Sequence, residues 1–272
     1  MKLIFLDIDG TLTGAGENTP PESAVMAIKE TQKRGNKVFL CTGRNYDMLK
    51  PLLKYGFDGI VGSSGGYVTV GDEVLFDCPM SNEQRDLALD IFHKNGVFCT
   101  IEAKNGSWGD DNMDEFIQNQ PEGNSEIERW RKALSSNLGI KSMSEYDGSP
   151  IYKIIMMCTD PAQLDEAKKE LSDDFSFVVQ EVKAHSCING ELLNKKFDKG
   201  RGVRLVAEHF GLGMEDTIGF GDSMNDLEMI ETVGTSVCME NGAEALKKIS
   251  DIICPPVDKD GLAKGFELLE LL

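Results

Sequence analysis

No apolar run in the 272-residue chain approaches the length of a membrane span. The first residues lead straight into a strand-like segment in place of a basic, apolar, cleavable leader, so the expected compartment is the cytoplasm. A Cys-x-x-Cys pair is also missing. The seven cysteines, at 41, 78, 99, 158, 187, 238 and 254, are scattered and odd in number, so neither a disulfide framework nor a zinc knuckle is suggested and most are expected to be small buried hydrophobes. Histidine is scarce, and His93, His185 and His209 match no metal-ligand or triad spacing. Positive charge is short as well: 28 Lys and Arg face 46 Asp and Glu, for a formal net charge of -18. That balance argues against nucleic acid or an anionic membrane as a partner, and an anionic substrate would need positive charge concentrated locally.

The chemistry-bearing residues begin at Met1-Lys-Leu-Ile-Phe-Leu-Asp7-Ile8-Asp9-Gly10-Thr11-Leu12-Thr13. Residues 3 to 6 are continuously apolar, as in a central parallel strand buried on both faces, and Asp7 marks where the strand leaves the core. Ligands of open α/β sheets gather at such carboxyl ends. Asp7 and Asp9 are two apart and can point the same way while Ile8 returns to the core. Like charges so close resist ionisation unless a divalent cation neutralises them. Gly10 permits a tight turn, and Thr11 can cap the segment after it.

Strand-like runs at Leu3-Leu6, Lys37-Cys41 and Gly59-Val61 alternate with helical patterns near Pro21-Arg34 and Asn45-Tyr55, which predicts a parallel sheet. A hairpin around Gly71-Asp72 comes next, and the first core segment ends near residue 80. Residues 81–187 run helix, strand, polar stretch, helix, strand, helix, strand, a second α+β layer. Its polar segment Lys104-Asn124, holding Trp108, is the expected mobile loop. After Lys195 the core rhythm resumes: helix Gly200-Gly211, strand Asp216-Phe220, helix Asn225-Val233, strand Thr235-Met239, helix Ala243-Ile249 and strand Ile252-Ile253. Pro51 is expected to kink or restart its helix. The chain is therefore expected to be an α/β protein with a Rossmann-like parallel-sheet core, residues 1–80 and 188–272, interrupted by an α+β domain, 81–187.

Three further segments carry chemistry. Thr42-Gly43-Arg44 closes a strand ahead of a helix and suits an anion cradle, although an ordinary cap and turn fits the same residues. Among Lys195, Lys196 and Lys199, a lysine near a helix start opposes the helix dipole and calls for an acid or phosphate partner. Thr217-Ile-Gly-Phe-Gly-Asp222-Ser223-Met-Asn225-Asp226 ends a buried strand in glycines and releases four polar side chains into one loop, a set of hard oxygen ligands suited to magnesium.

With Asp7-Ile8-Asp9-Gly10-Thr11-Leu12, Thr42-Gly43-Arg44, Lys199-Gly200 and Gly221-Asp222-x-x-Asn225-Asp226 in this order, the chain resembles the haloacid dehalogenase-like superfamily, and in detail its Cof-type phosphatases. The resemblance spans nearly the whole length. It implies a Mg2+-dependent phosphatase of small phosphorylated metabolites, sugar phosphates favoured, with an inserted cap domain closing over the leaving group. By this likeness Asp7 is the nucleophile and Asp9 the general acid/base. Asp7, Asp9 and Asp222 hold the metal. The Ile8 amide, Thr42, Gly43, Lys199 and Asn225 surround the phosphoryl oxygens, with Ser223 and Asp226 in support. Arg44, Trp108 and the stretch from His185 to Glu191 are candidate substrate contacts, and Trp130 is read as packing. Val237-Cys238-Met-Glu240-Asn241-Gly242 departs from the usual Val-Ala-Met-Gly-Asn-Ala, leaving Asn241 a minor phosphate candidate and Glu240 a charge near the entrance. A sugar phosphomutase and a catalytically silent metabolite-binding protein are the alternatives.

Overall fold

The computed structural model describes residues 1–113, 115, 139–180 and 188–272. It divides into two compact units, Met1–Asp77 with Phe197–Leu272, and Cys78–Lys196. The expected strand β1 is Leu3–Leu6, followed by α1 (Glu22–Lys33), β2 (Lys37–Cys41), α2 (Tyr46–Leu53), β3 (Gly59–Gly62), β4 (Tyr67–Val70) and β5 (Glu73–Asp77). All of β1 is inaccessible to solvent. Strand alternation sends Ile4 and Leu6 into one apolar layer and Leu3 and Phe5 into the other, which is why the run carries no polar residue. Pro51 does not break α2, which runs through it and stops two residues later at Leu53. The proline's missing N–H would have bonded Asp47, in the first turn, so little of the short helix depends on it.

The second unit opens with α3 (Asn82–Lys94), started by a capping box between Ser81 and Gln84. It continues with β6 (Phe98–Ala103), β7 (Gly106–Gly109), β8 (Ile140–Ser142), β9 (Ile151–Cys158), α4 (Asp165–Leu171), β10 (Phe175–Gln180) and β11 (Ile188–Asn194). Among the described residues the sheet order is β10-β11-β9-β6-β7-β8, with α3 and α4 contributing to its apolar core. Two expectations change here. Ile188–Asn194, assigned from the sequence to the core, pairs antiparallel with both β10 and β9 and belongs to this sheet. The supposed mobile loop from Lys104 begins instead as the β6–β7 hairpin, in which Trp108 stands opposite Ile101. Trp130, His185 and the helix expected before residue 139 lie outside the described residues.

The chain then returns through α5 (Lys199–Phe210), β12 (Thr217–Gly221), α6 (Leu227–Thr232), β13 (Thr235–Met239), α7 (Glu244–Lys247), β14 (Ile252–Cys254) and α8 (Gly261–Leu268), the last of which the sequence patterns did not reveal. Among the described residues the first unit's sheet has the order β14-β13-β12-β1-β2-β3-β4-β5, parallel from β14 to β3. β1 therefore lies where successive strands depart in opposite directions, the position at which α/β sheets open a crevice beyond their carboxyl ends. Among the described residues no helix is long and apolar enough to cross a membrane.

A buried charge cluster supports the second sheet: Lys153, only 4% exposed, pairs with Glu102 at 3.3 Å and Glu191 at 3.0 Å. Burial opposes the lysine's charge, but the two glutamates outweigh it and raise its pKa, while burial also raises that of Glu102. Removing the lysine leaves Glu102 buried without its cation, so Lys153→Met is expected to destabilise the protein by about 3–5 kcal/mol. Adding Glu102→Gln should recover much of the loss in urea denaturation, and an unchanged midpoint in the single variant would remove the cluster's structural role.

Candidate active site

Asp7 extends β1 by one ladder bond, its amide donating to Phe220 O at 2.9 Å, so its side chain emerges beside the end of β12. Ile8 turns back into the core, as the alternation requires. The chain then doubles back tightly, with the amides of Thr11, Leu12 and Thr13 all donating to Ile8 O. Gly10 makes this turn with φ +87°, and a Cβ there would stand 2.4 Å from Asp222 Oδ2. Glycine is thus needed both for the backbone angle and for the approach of the first loop to Asp222. Thr11 Oγ1 donates to Asp222 Oδ1 at 3.2 Å, and Asn241 Nδ2 donates to Gly10 O at 3.0 Å. Asn241 thus holds the turn. Thr11, read from the sequence as a cap, is a further site residue, and a hydroxyl beside a carboxylate loop was the only signal for it.

Lys199 enters from the first turn of α5. Its Nζ lies 2.7 Å from Asp7 Oδ1 and 2.5 Å from Asp226 Oδ1, with the lysine 2% exposed. Gly200 permits this depth, because a Cβ at that position would come within 2.4 Å of Glu228 O on α6. The other oxygen of Asp226 accepts from the amides of Asp222 and Ser223 at 3.0 and 3.1 Å. Asp226 is therefore committed on both sides, to the cation and to the shape of the loop that presents Asp222. The lysine that opposed its helix dipole has found two acids.

Beyond β2, the Thr42 amide donates to Val61 O at 2.8 Å and the Thr42 hydroxyl accepts from the Arg44 amide at 3.1 Å. The next helix begins only at Tyr46, capped by Asn45, whose Oδ1 accepts from Met48 N. Ser63 and Ser64, both with left-handed backbone angles (φ 49° and 58°), donate their amides to Arg44 O and Thr42 O. This conformation, uncommon for residues with a Cβ, supports the Thr42–Arg44 turn. The small residues Ser63-Ser64-Gly65-Gly66 were its only trace in the sequence. Asn225 is exposed, its Oδ1 accepting from Ser223 Oγ at 2.6 Å, and Gly43 is half-buried.

One candidate substrate contact is corrected, and the other has a protein partner. Trp108 is 2% exposed and packs in the core of the second unit, its ring edge-on to Tyr146 at 5.1 Å, because its place in β7 directs it inward. Arg44 is occupied by Asp9, with Nε 2.8 Å from Oδ2 and Nη2 2.7 Å from Oδ1.

The carboxylates suit a hard divalent cation. Asp7, Asp222 and Asp226 each offer an oxygen, all within 4.8 Å of one another. Burial, then repulsion from Asp226, pushes Asp7 up to about 8 against the pull of Lys199, and the same two causes push Asp222 up to about 6. The Oδ2 atoms of Asp7 and Asp222 carry no protein hydrogen bond among the described residues, whereas both oxygens of Asp226 are engaged. A divalent ion would supply the charge that one buried lysine does not.

A family model described as haloacid dehalogenase-like hydrolase matches residues 4–266. The chain is similar to "Putative phosphatase YkrA" of Bacillus subtilis (strain 168), 30% identical over 274 residues that cover 100% of this chain and 98% of the relative. It is also similar to the 5-amino-6-(5-phospho-D-ribitylamino)uracil phosphatase YwtE of the same organism, 26% identical over 97% of this chain and 96% of that one. Among solved structures, the sugar phosphatase BT4131, described as HAD subclass IIB, has the same fold, with a TM-score of 0.78 at 22% identity over 100% of both chains.

The raised carboxyls set a pH dependence. A carboxyl whose folded value exceeds its unfolded one, here about 8 and about 6 against 3.8, stabilises the fold fully below the unfolded value and loses that contribution as pH rises through the folded one. In metal-stripped protein, Asp222→Asn should therefore gain on the wild type in thermal midpoint as pH rises from 3.8 through about 6. A difference that stays constant across that range would contradict the assigned burial of Asp222.

Proposed function

The chain belongs to the haloacid dehalogenase-like hydrolases, and from that premise we propose that it is a magnesium-dependent phosphatase of small phosphorylated metabolites, sugar and polyol phosphates first, working through an aspartyl phosphate. The observation that carries this reading is the meeting of Asp7, Lys199, Asp226 and Asp222, brought from both ends of the chain to the ends of two neighbouring strands. The substrate class is supported by the relative named for a phosphorylated ribityl compound.

Asp7 and Asp222 would hold magnesium through carboxylate oxygens, joined by the backbone carbonyl of Asp9. Bound there, the ion supplies charge neutralisation for the phosphoryl oxygens. A carboxylate oxygen of Asp7 attacks phosphorus, and the ester P–O bond breaks as Asp9 gives its proton to the leaving oxygen. Water then attacks the acyl phosphate, passing a proton to Asp9 as the bond between phosphorus and Asp7 opens and the carboxylate returns. Lys199, the Thr42 hydroxyl, the amides of Gly43 and Ile8 and the side chain of Asn225 surround the phosphoryl oxygens. Phosphoryl transfer depends chiefly on such positioning and charge compensation. Lys199 alone is outnumbered by the acids around it, so the bound cation would complete the local positive charge that a chain of net charge -18 needs to hold an anion.

The test is hydrolysis of p-nitrophenyl phosphate and a panel of sugar phosphates. Activity should require added magnesium and fall by at least about a thousandfold in Asp7→Asn, since the lost group forms the covalent bond. The Asp222→Asn variant should keep its fold and need a higher magnesium concentration for half-maximal activity. A wild-type protein inert towards every ester with metal present, or an Asp7→Asn variant as active as the parent, would reject the proposal.

A further inference from the structure

The guanidinium of Arg44 donates four hydrogen bonds, none of them to a site that a phosphoryl group would fill. Nε and Nη2 form a fork on Asp9 at 2.8 and 2.7 Å, Nη2 also reaches Glu17 O at 3.0 Å, and Nη1 donates to Asn18 Oδ1 at 2.6 Å. The Arg44 side chain is 11% exposed, whereas that of Asp9 is 39% exposed. A carboxylate so open to solvent rotates freely unless something holds it. Besides the fork, the amide of Gly16 donates to Asp9 Oδ1 at 2.7 Å.

We propose that Arg44 is a positioning residue: it fixes where the Asp9 carboxylate stands and does not bind the phosphoryl group. The fork has two parallel N–H···O bonds, so it sets the plane as well as the location of the carboxylate, which a lysine would not do. Each carboxylate oxygen has two lone-pair directions, so the Nε bond to Oδ2 is compatible with the proton that this oxygen exchanges with the leaving group. Arg44 is itself held from behind, because its carbonyl accepts from Ser63 and its amide donates to Thr42. The line of support runs from the left-handed serine turn, through the Thr42–Arg44 turn, to the exposed acid. Proton transfer needs its partners within hydrogen-bond reach, so an unheld Asp9 costs rate wherever the leaving group needs a proton.

The inference rests on the phosphatase reading and on Asp9 as the acid, and its test separates the two. The leaving group of glycerol phosphate is a poor one that needs protonation, and that of dinitrophenyl phosphate is a good one that does not. The expectation for Arg44→Ala is a loss of about 100-fold in kcat/KM with glycerol phosphate and less than about 5-fold with dinitrophenyl phosphate. In an Asp9→Asn background Arg44→Ala should add nothing further with glycerol phosphate, since the two residues act as one unit. Arg44→Lys should restore only part of the activity. Equal losses on both esters would place Arg44 on the phosphoryl group and overturn the proposal. Crystal structures of wild type and Arg44→Ala give a readout independent of turnover: the Asp9 carboxylate should leave the Gly16 amide in the variant, and its persistence there would overturn the proposal as well. If the wild type hydrolysed neither ester, the phosphatase reading would fall, while the position of Asp9 in the two crystals would still decide the role of Arg44.

Discussion

One buried ammonium holds the site together. Lys199, almost without solvent, lies between Asp7 and Asp226, and each partner would be a costly isolated charge without it. Burial alone would strip the lysine of its proton, but the two carboxylates reverse that and raise its pKa. Asp226 then uses its second oxygen to shape the loop carrying Asp222. The same ion pairing therefore fixes a nucleophile candidate, a metal-ligand candidate and the turn between them. Three negative groups against one positive leave a deficit of positive charge, which is the electrostatic signature of a place made for a cation.

The sheet explains why residues so distant in sequence meet. β1 pairs with β2 on one side and β12 on the other, both parallel to it. Their carboxyl ends release Asp7, Thr42 and Asp222 at one edge of the sheet. The inserted unit lies between β5 and α5 in the chain and leaves this register untouched.

How much could be read beforehand tracked the physics of each signal. The carboxylates at Asp7 and Asp222 were legible because a buried apolar strand gains nothing from ending abruptly in acids unless those acids meet a cation. Lys199 was legible only with the family pattern, since a lysine beside other lysines says nothing of its partner until α5 is packed on α6. Trp108 was misjudged for a related reason: an indole is equally suited to substrate and to protein, and tertiary contacts decide. Ile188–Asn194 was placed with the wrong sheet because an alternating strand does not announce which neighbour it will pair with. Thr11 and the left-handed serines at 63 and 64 gave only the faint composition of a turn.

The placement of β1 between partners nearly two hundred residues apart has a consequence for biosynthesis. The ribosome delivers Asp7 early, yet its lysine and its neighbouring strand emerge only after the whole inserted unit has been made. Until then the acidic end of β1 has no cation and one of its edges is unpaired. The central strand is thus completed late, a long-range closure of the kind that slows folding. A chain stopped short of its final third would lack any assembled catalytic centre, so the fold withholds chemistry from unfinished copies of itself.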